Sequence, residues 1–181
     1  MNGSPAPLLY VGPTQINLQL PPELTGSEAS LAVRANGITS NQVTLPLSPV
    51  DPAIFMVGQT GYGTIVKANT DILAMPVTPG IKSSPVRRGD IISIYCTGLG
   101  LTQTLVPAGV AAQSAIPTLL TPAVRVGGSL ARVLYSGTAP GFVGLYQVNV
   151  EIPPDAPVGA QVPVLIEIGG RTSPVVNIAI E

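Results

Sequence analysis

The sequence contains no histidine and no tryptophan, and it has a single cysteine, Cys96. Without histidine, the chain has no Ser-His-Asp or Cys-His catalytic unit and no histidine-ligated metal site. One thiol forms neither an intrachain disulfide nor a Cys-x-x-Cys motif. We expect Cys96 to be a small apolar strand residue. We also expect no cofactor and no metal, although a calcium site built from loop oxygens would leave no signature in the sequence.

Charge is scarce as well. Eight lysines and arginines stand against nine aspartates and glutamates, and charged residues make up 9% of the chain, where about 25% is usual. The two lysines, Lys67 and Lys82, form no basic stripe, so we expect no nucleic-acid partner. Residues 91–124 carry no charge but include three prolines. This stretch therefore predicts strand, loop and strand, and no membrane span.

Glycine and proline, at 20 residues each, indicate many turns. No segment longer than about ten residues combines a helical period with freedom from proline and glycine. Several segments instead alternate between apolar and polar residues, which is typical of half-buried strands. The sequence therefore predicts an all-β fold. Residues 1–10 lack the basic start and apolar core of a signal peptide.

An internal repeat organises these strands. Residues 15–22 (QINLQLPP) match residues 147–154 (QVNVEIPP) at an offset of 132, and the match extends backwards at an offset of 125 and forwards at 133. In both copies, apolar residues alternate until a Pro-Pro pair ends the strand. Asn36-Gly37 and Gly169-Gly170 then suit the tight turns of hairpins.

The repeat divides the chain into three parts. Residues 86–181, the second unit, predict six or seven strands and a complete immunoglobulin-like β-sandwich of about 100 residues. Residues 1–48, the first unit, form a partial copy that lacks counterparts of the opening strands in residues 86–126. Residues 49–85, the connecting segment, include a predicted hairpin. The apolar face of the first unit needs a cover: the connecting segment, the second unit, another copy of the chain, or natural sequence before Met1.

Several separated motifs resemble a known family. They are Asn2-Gly3-Ser4-Pro5-Ala6-Pro7-Leu8-Leu9-Tyr10, Pro13-Thr14-Gln15-Ile16-Asn17, Asp51-Pro52-Ala53-Ile54-Phe55, Thr97-Gly98-Leu99-Gly100 and Gly144-Leu145-Tyr146-Gln147-Val148-Asn149. Together they resemble the uncharacterised C-terminal domain of many large Solibacter-type acidobacterial proteins. The second unit also resembles an IPT/TIG immunoglobulin-like module. The resemblance implies a β-sandwich without known activity at the end of a longer, exported or cell-surface protein, whose other domains are its partners. It also implies that Met1 is not the natural start.

Paired amides are the candidate interaction residues. Gln15 and Asn17, like Gln147 and Asn149, are two residues apart and hence on one strand face. Such amides bind sugar hydroxyls or a peptide, or they simply contact neighbouring backbone and solvent. Sugar sites usually include an aromatic platform; tryptophan is absent, and only Tyr10 and Tyr146 lie close to the amides in sequence. We therefore take Gln15, Asn17, Gln147, Asn149 and Tyr146 as a candidate polar face, with a glycan or cell-wall fragment as candidate ligand.

Three hypotheses of function follow. The first is a non-catalytic immunoglobulin-like module that acts as a spacer, adhesion or docking element. The second is assembly by strand exchange, in which another chain completes the open sheet edge of the first unit and a homo-oligomer is one product. The third, ranked last, is a carboxylate-dependent hydrolase that uses Asp51, Asp71 and Asp90.

Overall fold

The computed structural model describes all 181 residues, and all of its regular elements are strands. This confirms the all-β prediction. The chain contains no helix of the length and hydropathy that crossing a bilayer requires. The strands are β1 (Leu8–Val11), β2 (Ile16–Leu18), β3 (Glu28–Leu31), β4 (Arg34–Ala35), β5 (Ile38–Thr39), β6 (Val43–Pro46), β7 (Ala53–Ile54), β8 (Ile65–Lys67), β9 (Ile91–Thr97), β10 (Ala123–Val126), β11 (Ser129–Thr138), β12 (Tyr146–Glu151), β13 (Gly159–Ile168), β14 (Arg171–Thr172) and β15 (Val176–Ile180).

Nine of these strands form a β-sandwich. They pair in the order β14-β13-β10-β11-β12-β9-β7, with β15 also on β13 and β8 also on β9. The long strand β11 belongs to both layers, because residues 129–131 pair with β10 and residues 132–138 pair with β12. One layer thus holds β9, β12 and β11, and the other holds β10, β13 and β15. This is the arrangement of strands B, E, D and C, F, G in an immunoglobulin-like sandwich.

The core lies between the two layers and follows from strand alternation. On β9, Ile92, Ile94 and Cys96 point inward, and Val148 and Val150 do the same on β12. All 23 residues of the core cluster lie between Val50 and Ile180. The core therefore includes side chains that precede the second unit.

The connecting segment packs on the second unit and adds strands to it. Strands β7 and β8 both pair with β9, and Ile54 and Ile65 are part of the core cluster. The predicted hairpin is present: Lys67 N donates to Ile72 O at 2.9 Å, and Asn69 takes a positive φ of 60° in the turn. The connecting segment was one of the candidates to cover the apolar face of the first unit. It packs on the second unit instead.

The first unit reproduces the strand pairing of the second. Leu8 pairs with Leu18 and Tyr10 with Asn17, with a bulge between Leu8 and Tyr10. Their repeat counterparts Val133, Val150, Tyr135 and Asn149 pair in the same way, with the bulge at the same place. The register of β4–β5 likewise equals that of β13–β14, and three pairs of β3–β6 equal those of β13–β15, which has a further irregularity between Gly159 and Val162. The sequence repeat is thus a repeat of backbone structure.

The predicted hairpin turns are also equivalent. Asn36 and Gly37 have φ values of 51° and 79°, and Gly169 and Gly170 have 54° and 78°. Two successive positive φ angles define the tight turn that matches the twist of a hairpin, and asparagine and glycine adopt them at low cost.

The two units differ in burial. Within residues 1–48 only Met1 and Ala29 are buried. Ile16 is 38% exposed, whereas its counterpart Val148 is fully buried. The first unit therefore has the strands of a sandwich without a closed core.

Candidate functional site

A groove lies on the outer face of the β8-β9-β12-β11 layer. It has a volume of about 710 Å³, within the range of about 300–1,000 Å³ that is usual for ligand sites. The groove is lined by Val66, Ala68, Asn69, Thr70, Asp71, Ile91, Ser93, Tyr95, Leu134, Tyr135, Gln147 and Asn149.

Strand alternation supplies the polar floor of the groove. Because Val148 and Val150 point into the core, Gln147 and Asn149 point outward. On the neighbouring strand, Ser93 and Tyr95 face outward for the same reason. The outward-facing polar side chains of β9 and β12 thus form one continuous surface.

Strand register brings two tyrosines to the two amides. Tyr95 of β9 lies directly opposite Gln147, and Tyr135 of β11 lies directly opposite Asn149. Directly opposed residues in antiparallel strands share a face. The bulge between Val133 and Tyr135 adds one residue to β11, and this turns Tyr135 outward where plain alternation would turn it inward.

A glycine sets the position of the Tyr135 ring. The ring lies back over Gly137, where a Cβ added to the glycine would be 2.3 Å from the Tyr135 hydroxyl oxygen. That hydroxyl donates to the carbonyl oxygen of Thr138 at 2.9 Å. Burial raises the pKa of Tyr135, so the hydroxyl stays protonated at neutral pH. The ring is therefore a fixed apolar wall of the groove.

The amides keep most of their hydrogen-bonding capacity for a ligand. Gln147 Nε2 donates to Asn149 Oδ1 at 2.8 Å, which fixes the two side chains relative to each other. The Gln147 carbonyl oxygen and the Asn149 amide nitrogen make no hydrogen bond within the protein, and neither does the Tyr95 hydroxyl. A ligand thus meets both acceptors and donors between two aromatic rings.

The groove carries little net charge. Asp71 is the one charged side chain among the lining residues, and Lys82 Nζ lies 2.7 Å from its carboxylate. This hydrogen bond holds the pKa of Asp71 below its ordinary value. Because the carboxylate is ion-paired, the groove suits an uncharged, hydroxyl-rich or amide-rich ligand.

Tyr146 does not belong to this surface. Next to Gln147 in an extended strand, it points to the opposite face, packs against the core cluster and donates its hydroxyl proton to the carbonyl oxygen of Gly100. Burial raises its pKa. Its grouping with the amides was therefore wrong, because adjacent strand residues face opposite sides.

Gln15 and Asn17 form a separate pair on β2. Gln15 Nε2 donates to Asn17 Oδ1 at 2.6 Å, as in the second unit. Tyr10 lies opposite Asn17 and so takes the place of Tyr135. However, no strand takes the place of β9 beside β2, so this pair lacks a counterpart of Tyr95 and is not in a groove.

Sequence reasoning missed Tyr95, Tyr135, Ser93 and the 69–71 turn as parts of the site. A partial signal was present: the alternation in residues 91–96 places Ser93 and Tyr95 on one face, and Tyr135 repeats Tyr10. The sequence did not show which strands are neighbours or in what register they pair.

The remaining candidates have structural partners or lie apart from the groove. Asp90 Oδ2 accepts a hydrogen bond from the backbone N–H of Arg87 at 2.8 Å, and Asp51 is exposed. Cys96 is fully buried in the core, as its strand pattern predicted. No three side chains of Asp, Glu or Cys are grouped as a metal site would require.

The clearest relationship of this chain is the one between its own two units. Beyond the chain, no protein-family model matches it, and no curated protein or solved structure does so either.

Proposed function

We propose that this chain is a non-catalytic, immunoglobulin-like docking module that binds an uncharged glycan or cell-wall fragment in the groove. The observation that carries the proposal is the pairing of Tyr95 with Gln147 and of Tyr135 with Asn149 on the outer sheet face that lines the groove. Aromatic faces pack against the apolar side of a sugar ring, while amides bind its hydroxyls.

The wider setting of the module is part of the same proposal. The motifs that resemble the Solibacter-type C-terminal domain support a place at the end of a larger exported or cell-surface protein. In that setting, the module attaches the parent protein to a surface or serves as a spacer between its other domains.

The test is a screen of the full chain against immobilised glycans and cell-wall fragments, followed by affinity measurements with the best ligand. Tyr95→Ala and Asn149→Ala are expected to weaken binding by tenfold or more, in line with the loss of about 1.4 kcal/mol or more per contact.

Asn17→Ala is the matched control. It removes the same amide from the same repeat position, but where no β9 partner is present, so binding should not change. Equal losses in Asn17→Ala and Asn149→Ala would refute the groove as the binding site. If no ligand binds, only the spacer role remains.

A further inference from the structure

Strand β2 has one unpaired edge. Its counterpart β12 pairs with β11 on one side and with β9 on the other. β2 pairs with β1 in the equivalent register and with nothing on its second edge. An unpaired edge exposes backbone N–H and C=O groups in the geometry that another strand binds.

The apolar face beside this edge is also open. Ile16 is 38% exposed and Leu20 is 50% exposed, whereas their counterparts Val148 and Ile152 are fully buried. Val33, between β3 and β4, and Val43, on β6, are 42% and 49% exposed, while their counterparts Ile166 and Val176 are buried. In the second unit, β9 covers the equivalent face with Ile92 and Ile94.

We propose that the free edge of β2 accepts an antiparallel β-strand from another polypeptide, and that this strand has the alternation of β9. The second unit defines the register. The residue opposite Ile16 would be a large aliphatic, as Ile94 is opposite Val148, and the residue opposite Asn17 would be small and polar, as Ser93 is opposite Asn149. Main-chain hydrogen bonds and an apolar face are the usual basis of such strand addition.

The β9 strand of a second copy of this chain does not fit as the donor. Each copy has two sets of acceptor strands, one in each unit, but only one β9. That β9 is held between β12 on one side and β7 and β8 on the other, with Ile92 and Ile94 fully buried. If β9 moved from its own β12 to the β2 of another copy, it would close the edge of that β2 but leave its own β12 with an unpaired edge. The β9 strand of a second copy is therefore not the donor.

A bound strand would also complete a second groove. Tyr10, Gln15 and Asn17 already occupy the positions of Tyr135, Gln147 and Asn149. A donor residue opposite Gln15 takes the position of Tyr95. Strand binding would thus supply the missing wall of the polar pair on β2.

The test uses a peptide of residues 87–98 of this chain, with Cys96→Ala to prevent disulfide formation, added to the full-length protein. We expect fluorescence anisotropy to show that the peptide binds. We also expect hydrogen exchange at the amides of residues 15–20 to slow by about tenfold when it does. A control peptide exchanges Ile92 with Ser93 and Ile94 with Tyr95, which inverts the alternation at constant composition. It should not bind.

Two variants of the full chain locate the site. Ile16→Asp places a charge on the apolar face and should weaken peptide binding about tenfold or more. Ile38→Asp makes the same substitution at an exposed isoleucine of β5, a strand that pairs only with β4, and should leave binding unchanged. Both positions are exposed, so the fold should be retained.

Several results would overturn the proposal. They are equal binding of the two peptides, protection of β12 in place of β2, equal effects of the two variants, and the absence of binding. Light scattering provides the last check: a concentration-dependent dimer of the chain alone, with the amides of β2 already protected, would show that a second copy covers this edge.

Discussion

Ser40 and Ser173 occupy equivalent positions in the two units, and they show how burial changes the contribution of a side-chain hydrogen bond to stability. Ser173 Oγ accepts from Ile166 N at 3.0 Å and donates to Pro174 O. Ser40 Oγ accepts from Val33 N at the same distance and donates to Asn41 O. Ser173 is buried and Ser40 is exposed. The geometry is shared, and only access to water differs.

We expect Ser173→Ala to lower the free energy of unfolding by about 1–3 kcal/mol, because the N–H of Ile166 loses its partner where water does not reach it. Ser40→Ala should cost less than about 0.5 kcal/mol, since water replaces the hydroxyl. Urea titrations of both variants provide the measurement. Equal costs would contradict the difference in burial.

Because the thiol of Cys96 is buried, we expect the free energy of unfolding to depend on pH. Burial raises the pKa of its thiol to about 12, while an unfolded cysteine titrates near 8.5. The thiol is neutral in both states below pH 8, so its contribution to stability is complete there. Above about pH 9 only the unfolded state ionises, and stability falls by up to about 1.4 kcal/mol per pH unit until the folded thiol titrates.

Unfolding free energies at pH 8 and pH 10 test this effect. The native protein should lose roughly 2 kcal/mol more between these pH values than Cys96→Ala does. The titration of the other tyrosines cancels in the difference, whereas Cys96 itself adds to the effect of burial in raising the pKa of Tyr146, so part of the difference passes through that residue. Native Cys96 should also resist thiol reagents at pH 8 and react after unfolding. Rapid modification of the folded protein would show that the thiol is accessible.

At the scale of the element, β2 and β12 have equivalent pairing partners, β1 and β11, and a bulge at the same place beside them, but their surroundings differ. Ile152, which follows β12, is fully buried, and its counterpart Leu20, which follows β2, is 50% exposed. The strand pattern QINLQLPP therefore does not by itself determine burial. A strand is buried only when a second layer and both neighbours are present.

Alanine substitutions at these two positions measure the difference. Ile152→Ala should cost about 2–5 kcal/mol, because it removes buried methyl groups and leaves a cavity. Leu20→Ala should cost less than about 1 kcal/mol. Thermal and urea denaturation are suitable measurements. A large cost at Leu20 would mean that the first unit has a closed core in solution.

At the scale of the whole molecule, the core begins before the second unit of the repeat. Val50, Ile54 and Ile65 are part of the core cluster, and β7 and β8 complete the edge of β9. The first unit, in contrast, contributes no residue to that cluster. The cooperative unit therefore extends from about residue 49 to the end of the β15 strand.

Two fragments test this boundary. Residues 49–181 should fold alone and unfold cooperatively, because they retain the whole core. Residues 86–181 should be less stable by several kcal/mol, since each lost aliphatic side chain contributes about 1.5–3 kcal/mol. Circular dichroism with urea denaturation compares them. Equal stability would place the boundary at residue 86, as the repeat alone predicts.

The sequence by itself determined the all-β class, the hairpin turns at Asn36-Gly37 and Gly169-Gly170, and the repeat of residues 127–181 in residues 1–48. These properties depend on the local alternation of side chains and on backbone preferences, which a linear pattern contains. Only the tertiary structure decided that Tyr95 and Tyr135 flank the amides, that Tyr146 faces the core, and that the connecting segment covers the second unit. Those outcomes depend on which distant strands pair and in what register, and that choice is set by the summed packing of side chains from the whole sandwich.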